Sequence, residues 1–269
     1  MIKTNWHTHT NRCGHAVGKD EDYVRSAIQA GLTTLGFSDH CAYHKSSPDI
    51  RMNMDQVEDY ITSIRSLQKK YEKDITLYLG MEVECYQSQW ETLSQYRKSL
   101  DYCILGQHRI NWDEESSYDI HTGNALMRYV SQIQYACEHS LCDCIAHPDV
   151  CMWSYPVLDE TVRTAAHAIA EIAKKYNIPL EINCGSGVRF GKEMYQDGPR
   201  YAYPVRIFFE EAAKVGSRVM IGLDIHDPKL FLTDTYLNRA LEVVEGLPLH
   251  IEEDINLAEE AKERKLYFF

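Results

Sequence analysis

Short aliphatic or β-branched runs recur along the 269-residue chain, at residues 5–8, 34–38, 75–83, 102–106, 142–146, 180–183 and 219–223, with helical patterns between them. No other feature restricts the fold as much. In "DEDYVRSAIQAG", Val24, Ala27 and Ile28 share one face, Asp20 is placed to cap the start, and Gly31 can end the helix. The segments "MDQVEDYITSIRSLQKKYE", "TVRTAAHAIAEIAKKYN" and "YPVRIFFEEAAKVG" read the same way. Regular alternation of this kind predicts an α/β fold with a parallel sheet covered by helices, and repeated βα units close naturally into a barrel. No Pro/Ser-rich linker or block of charge interrupts the series, so one barrel domain over residues 1–269 is expected.

Composition narrows what such a barrel can act on. Lys and Arg number 28 against 40 Asp and Glu, a formal charge of −12 that repels a polyanion over most of the surface and disfavours a nucleic-acid partner. The opening Met1-Ile2-Lys3-Thr4-Asn5 has no apolar core of a signal peptide, and no stretch approaches the length of a membrane span. A cytoplasmic protein without a membrane partner is expected. The nine cysteines are odd in number and scattered, which fits reduced thiols rather than a disulfide framework. The pattern carries no signal for an oligomeric state.

Chemistry concentrates at the ends of the predicted strands. "WHTHTNRCGH", residues 6–15, holds three of the twelve histidines. At or just past the C-terminal ends of the strand runs stand His7 and His9, then His40, Glu82, His108 and His147, and finally Asp224 and His226. In a barrel these ends share one mouth, where such folds place their active sites. His7-Thr8-His9 and Asp224-Ile225-His226 are i, i+2 pairs, which a strand projects to one side. Imidazole and carboxylate without thiolate suits Zn²⁺, Mn²⁺ or Fe²⁺, and a bridging glutamate can hold two such ions close together. His15 belongs to the same cluster from a loop. Glu84, two residues after Glu82, is kept outside the ligand set as a group that supports a ligand or meets substrate. His121, His139, His167 and His250 lack ligand partners in sequence and read as hydrogen-bonded or surface residues. Cys142 and Cys144 read as buried small hydrophobes, and Cys13 and Cys41 are given no chemistry.

The pieces "HTHTNRCGHA", "GFSDH", "GMEVE", "GQH", "AHPD" and "LDIHDP", in this order, resemble the motifs of the polymerase and histidinol phosphatase (PHP) superfamily, and most of all its monofunctional histidinol-phosphate phosphatases. The resemblance implies a distorted (β/α)7 TIM-like barrel with three divalent ions. By motif position it implies His7, His9, Glu82 and Asp224 around one ion, Glu82, His108 and His147 around a second, and His15, His40 and His226 around a third. It also implies hydrolysis of a small-molecule phosphomonoester, L-histidinol phosphate; in such a reaction Asp224 and His226 are expected to shuttle a proton to the leaving oxygen. "EINCGSGVRFG" is similar to the stretch where the family places an arginine on the phosphate, which makes Arg189 the match. One departure is visible: Leu223 and Ile225 flank Asp224, where relatives carry Ser and Ala.

Other readings of the residues remain at this point. An amidohydrolase barrel also begins with His-x-His, but it normally uses a lysine on a middle strand, and no lysine ends a candidate strand here. A phosphoesterase for another small ester, a polymerase-associated exonuclease, and a metal-binding scaffold without turnover are the remaining alternatives. The loops around residues 41–54, 109–124 and 185–203 would read the rest of the substrate. Asp49, Asp113, Glu114, Asp119 and Asp197 could meet a cationic amine there, and Tyr43, Trp112 and Tyr203 could meet an imidazole ring. His44, Arg51, Arg109, Lys192 and Arg200 belong to these or adjoining loops.

Overall fold

Alternating strand and helix patterns become a parallel sheet wound around its own interior. The computed structural model describes residues 2–44 and 51–268. Strands β1 (Thr4–Asn5), β2 (Thr34–Phe37), β3 (Thr76–Val83), β4 (Tyr102–Leu105), β5 (Cys144–Ile145) and β6 (Leu180–Asn183) follow one another in space in chain order. A two-stranded antiparallel hairpin, β7 (Glu193–Tyr195) and β8 (Gly198–Arg200), intervenes before β9 (Val219–Gly222), which pairs with β6 and completes a seven-stranded parallel sheet. The hairpin has no counterpart among the sequence expectations, because its strands are short and lack an apolar alternation.

Helices α1 (Asp20–Gln29), α2 (Val57–Lys70), α3 (Trp90–Ser99), α4 (Gly123–Glu138) and α5 (Glu160–Lys175) fill the crossovers between successive strands. After β6 come the single-turn α6 (Ser186–Arg189), then α7 (Arg206–Val215), and past β9 come α8 (Thr235–Val244) and α9 (Leu257–Arg264). Gly31 takes φ 84° just after α1, as its position predicts. Asp20 does not cap that helix. Asp22 accepts the Lys19 N–H at 2.9 Å, while Asp20 is drawn to Arg12 Nη1 at 2.9 Å and to the Ser63 hydroxyl.

The sheet closes through side chains and loop backbone more than through a full ladder. β1 and β5 are shorter than their apolar runs. Beyond β1, Thr8 bridges Ile225 in parallel, with His9 N–H donating to the Ile225 carbonyl at 2.9 Å and Ile225 N–H to the His7 carbonyl at 3.2 Å. Asn5 reinforces this seam by accepting the Leu223 N–H at 2.8 Å through its side chain. At β5, Asp143 accepts Cys103 N–H through its side chain and is paired with buried Arg97, so polar side chains take over from the ladder there.

Two apolar layers result. Trp6, Tyr102, Ile104, Cys144, Ala146 and Met220 point into the barrel and pack with Leu257, Ala258 and Ala261 of α9. The C-terminal helix thereby covers the end of the barrel opposite the histidines. The larger layer lies between sheet and outer helices, where α5 turns Ala165, Ala166, Ile169, Ala170 and Ala173 inward, small side chains that let it pack closely against α4 and α7.

Candidate metal centre

The seam that closes the barrel also sets the centre. The Thr8 N–H donates to the Ser38 hydroxyl and its own hydroxyl accepts from the Asn5 amide, while His7 and His9 on either side meet at the centre, with ring centroids 5.1 Å apart. On β3, Glu82 stands in register with Ile104 of β4 and enters the barrel interior from the opposite wall. Its side chain passes over Gly106, where a Cβ would collide with the carboxylate. Gly222 makes the same allowance for Glu181. Both glycines are therefore places where a carboxylate occupies the space of a side chain.

Glu82 lies between two groups of imidazoles. Its Oε1 is 2.7 Å from His147 Nε2, 3.5 Å from His108 Nε2 and 3.6 Å from His7 Nε2. Its Oε2 is 2.9 Å from His40 Nδ1 and 3.6 Å from His9 Nε2. Asp224 Oδ1 is 3.2 Å from His9 Nε2, 3.6 Å from His7 Nε2 and 3.3 Å from His226 Nδ1. Among the described residues, ligand atoms come within 4.8 Å of one another in His7, His9 and Asp224 and in His15, His40 and His226, which lie within the expected first and third sets, and in His7, Glu82 and His147, which has His7 where His108 was expected. Two more, His9-His40-Glu82 and His9-Cys13-His226, overlap them, and the second brings in a thiol to which sequence analysis assigned no chemistry. All nine expected ligand residues thus meet at one mouth, His108 through Glu82.

Electrostatics divides these groups. Against burial, neighbouring carboxylates raise His7, His9 (to about 9) and His147, so that a cation would displace a proton from these rings. Glu82, Asp224, His15, His40 and His226 are held in their donor forms. Burial pushes Glu82 up, but His108, His40 and His7 outweigh it and hold the carboxyl well below its usual range. Asp224 is held down in the same way, by His7 and His226 against burial. Burial and then neighbouring His9 lower His15 and His226, and burial lowers His40 despite Glu82, so these three rings keep free lone pairs at neutral pH. Two residues of the set are backbone outliers: His147 has φ 27° and Asp224 φ 48°, strain that clusters at functional sites in folded proteins.

Three further carboxylates face the rings from behind, Glu181 through a hydrogen bond and Asp39 and Glu84 as nearby charges that make none to His9 Nδ1 and His108 Nδ1. Glu181 Oε1 is 2.8 Å from His7 Nδ1, Asp39 Oδ1 is 3.5 Å from His9 Nδ1, and Glu84 Oε1 is 3.3 Å from His108 Nδ1. Carboxylates on the far nitrogen fix tautomer and orientation in metal-binding histidines. Sequence reasoning anticipated such a role only for Glu84. Glu181 carried a usable signal as a lone acid in the β6 run, and Asp39 as an acid just past β2, beside His40.

The candidate substrate residues divide. Arg189 reaches the centre: its Nη2 donates to the Asp224 carbonyl at 2.9 Å and its guanidinium carbon lies 5.8 Å from the Tyr236 ring centre. Tyr203 faces His147 at 5.8 Å between ring centres. Tyr43 and Trp112 instead pack with Tyr86. Glu114 pairs with Arg128, and Asp197 accepts the Leu158 N–H, so both serve the fold. Arg109 donates to the Glu114 carbonyl, Lys192 pairs with Glu242, and Arg200 donates to the Met152 and Tyr155 carbonyls. His44 is exposed, Asp119 ends a short 3₁₀ turn, and Asp49 lies outside the described residues.

Residues 5–185 match the PHP domain. The chain belongs to the PHP family. Among PHP relatives, a probable histidinol-phosphatase of Deinococcus radiodurans is 26% identical over 232 residues, covering 82% of this chain and 85% of that protein. The histidinol-phosphatase of Bacillus subtilis is 28% identical over 149 residues, half of this chain and 55% of its own length. Of solved structures, the Lactococcus lactis histidinol phosphate phosphatase complexed with Zn, L-histidinol and phosphate superposes with a TM-score of 0.68 at 17% identity, covering 93% of this chain and 95% of that one. That likeness establishes the PHP barrel as the fold here, in agreement with the seven parallel strands.

Proposed function

We propose that this PHP protein is a metal-dependent phosphomonoesterase that hydrolyses L-histidinol phosphate to L-histidinol and phosphate. The observation that carries the reading is a set of buried donor atoms left without hydrogen-bond partners at one point: His7 Nε2, His9 Nε2, Glu82 Oε2, Asp224 Oδ1 and His226 Nε2. Buried polar atoms are rarely left unpaired, and atoms of this chemistry, converging as they do, fit divalent cations. His7, His9, Glu82 and Asp224 would hold one ion, Glu82, His108 and His147 a second, and His15, His40 and His226 a third. Zn, Mn and Fe all suit the donors. When bound, such ions supply positive charge for a phosphate dianion and lower the pKa of water.

The remaining work falls to side chains. Hydrolysis adds water across the P–O ester bond, so the leaving oxygen must gain a proton. His226 and Asp224, 3.3 Å apart at Nδ1 and Oδ1, are both held in their proton-free forms, so they would relay the proton lost by the attacking water rather than store one. Arg189, anchored on the Asp224 carbonyl, adds charge-assisted donors for the phosphate. The relatives' activity on histidinol phosphate supports the choice of ester. The test is kcat/KM across histidinol phosphate, sugar phosphates and nucleotides, with a preference of at least about tenfold expected, ~1.4 kcal/mol of discrimination. A smaller preference would leave a phosphoesterase of another specificity. Absence of any turnover in metal-loaded protein would instead favour a scaffold role.

A further inference from the structure

Glu84 and Arg51 form a buried ion pair directly behind the centre. Glu84 is 1% exposed and Arg51 6%, and Arg51 Nη1 lies 2.6 Å from Glu84 Oε2. The other carboxylate oxygen, Oε1, is 3.3 Å from His108 Nδ1, while His108 Nε2 faces Glu82 at 3.5 Å. Tyr43 holds both members of the pair. Its hydroxyl donates to the Glu84 carbonyl and accepts the Glu84 N–H, each at 2.9 Å, and its ring centre lies 5.4 Å from the Arg51 guanidinium carbon. The two other carboxylates behind the histidines are satisfied differently. Asp39 accepts from the Thr10 hydroxyl, and Glu181 from the His147 N–H and the Asn183 amide.

We propose that Glu84 and Arg51 are a positioning pair for the metal centre, Glu84 fixing the His108 ring so that Nε2 faces Glu82, and Arg51 offsetting the carboxylate's charge. The proposal rests on the reading of His108 as a ligand. It makes Arg51, from a loop at the mouth, a residue that tunes how strongly the centre holds cations. The two members then act with opposite sign. Removing the charge of Glu84 takes an anion from beside the centre and weakens cation binding. Removing the charge of Arg51 leaves that anion uncompensated and strengthens it. A pair that merely stiffened the loop would weaken binding whichever member was lost.

Zinc affinity and stoichiometry of the full chain, by competition with a chromophoric chelator, test this. Glu84→Gln should weaken one bound equivalent about 10- to 100-fold, the scale of losing a group that orients a ligand. Glu84→Asp should recover most of that loss, and Arg51→Met should tighten zinc about threefold or more, an electrostatic effect across a partly screened site. Equal weakening by Glu84→Gln and Arg51→Met, or a Glu84→Gln protein indistinguishable from the parent, overturns the pair. His108→Ala separates the underlying reading. If it removes no zinc, His108 is not a ligand and the pair falls with it; if it removes zinc while Glu84→Gln does not, the pair alone fails. Should Glu84→Gln not fold, Arg51→Met decides: tighter zinc supports the proposal, and unchanged or weaker zinc overturns it.

Discussion

Glu181 reaches from the middle of β6 to place Oε1 2.8 Å from His7 Nδ1, and with its other oxygen accepts the backbone N–H of His147. One buried carboxylate therefore orients a residue on each of two strands. His147 holds φ 27°, a conformation that needs such support. Glu181→Ala should lower metal affinity about 10- to 100-fold. Elemental analysis after dialysis against a weak chelator would detect it, and parental metal content in folded protein would show that Glu181 only fills space.

The space beside Glu82 exists because residue 106 is glycine. A Cβ there collides with the carboxylate that faces five histidine rings, and the collision falls at the head group, which cannot swing aside without leaving them. Gly106→Ala should cost about 1–3 kcal/mol in stability by overpacking. It should also release more metal than Gly191→Ala, whose Cβ would meet nothing within 4 Å and whose cost is confined to the backbone strain of φ 90°. Denaturant melts and metal content of the two variants make the comparison, and equal metal retention would mean that Glu82 adapts.

The strands and the convergence of the proposed ligands were legible because both depend on local pattern. Apolar runs mark β2, β3, β4, β6 and β9, and a candidate ligand at or just past the end of β2, β3, β4 or β9 needs only its position to be found, whereas β6 ends at Asn183 without one. The supports were harder to read. Asp39 precedes His40 in sequence but serves His9, and Glu181 serves His7 from β6, so their roles arise from barrel closure. The acidic loop residues failed for a related reason. Glu114 and Asp197 have the composition of amine-binding groups, but Arg128 and the Leu158 N–H claim them. Nothing in the structure explains the departure at Leu223 and Ile225, whose contacts at the closing seam, Ile225 with Thr8 and Leu223 with Asn5, are made through backbone.

Acid should weaken the outer layer as well as the barrel interior. Glu211 on α7 is nearly buried, which pushes its carboxyl up, but Lys214, Arg163 and His167 outweigh this and hold it at about 2 against the ordinary 4.5. A depressed carboxylate contributes stability above its unfolded value and loses it as pH falls from 4.5 toward 2. The loss should amount to about 1–2 kcal/mol, since Lys214 and Arg163 are partly solvated. Urea melts at neutral pH and near pH 3 should show a smaller difference for Glu211→Gln than for the parent. An equal difference would assign the acid sensitivity to other groups.

Arg189 and Tyr203 are expected substrate groups that the fold delivers to the centre, and the contact of Arg189 there is to backbone. Nη2 spends one donor on the Asp224 carbonyl, while Nε is buried without a partner, so the guanidinium retains donors for an anion. Because that bond involves no ligand atom, Arg189→Ala should leave metal content unchanged. It should lower kcat/KM for a phosphomonoester about 10²-fold, the scale of losing one transition-state donor. Inorganic phosphate should also inhibit the variant more weakly, because product and substrate share the clamp. Metal loss in the variant would recast Arg189 as a support for Asp224, and unchanged kinetics would move the phosphate contact to another basic residue.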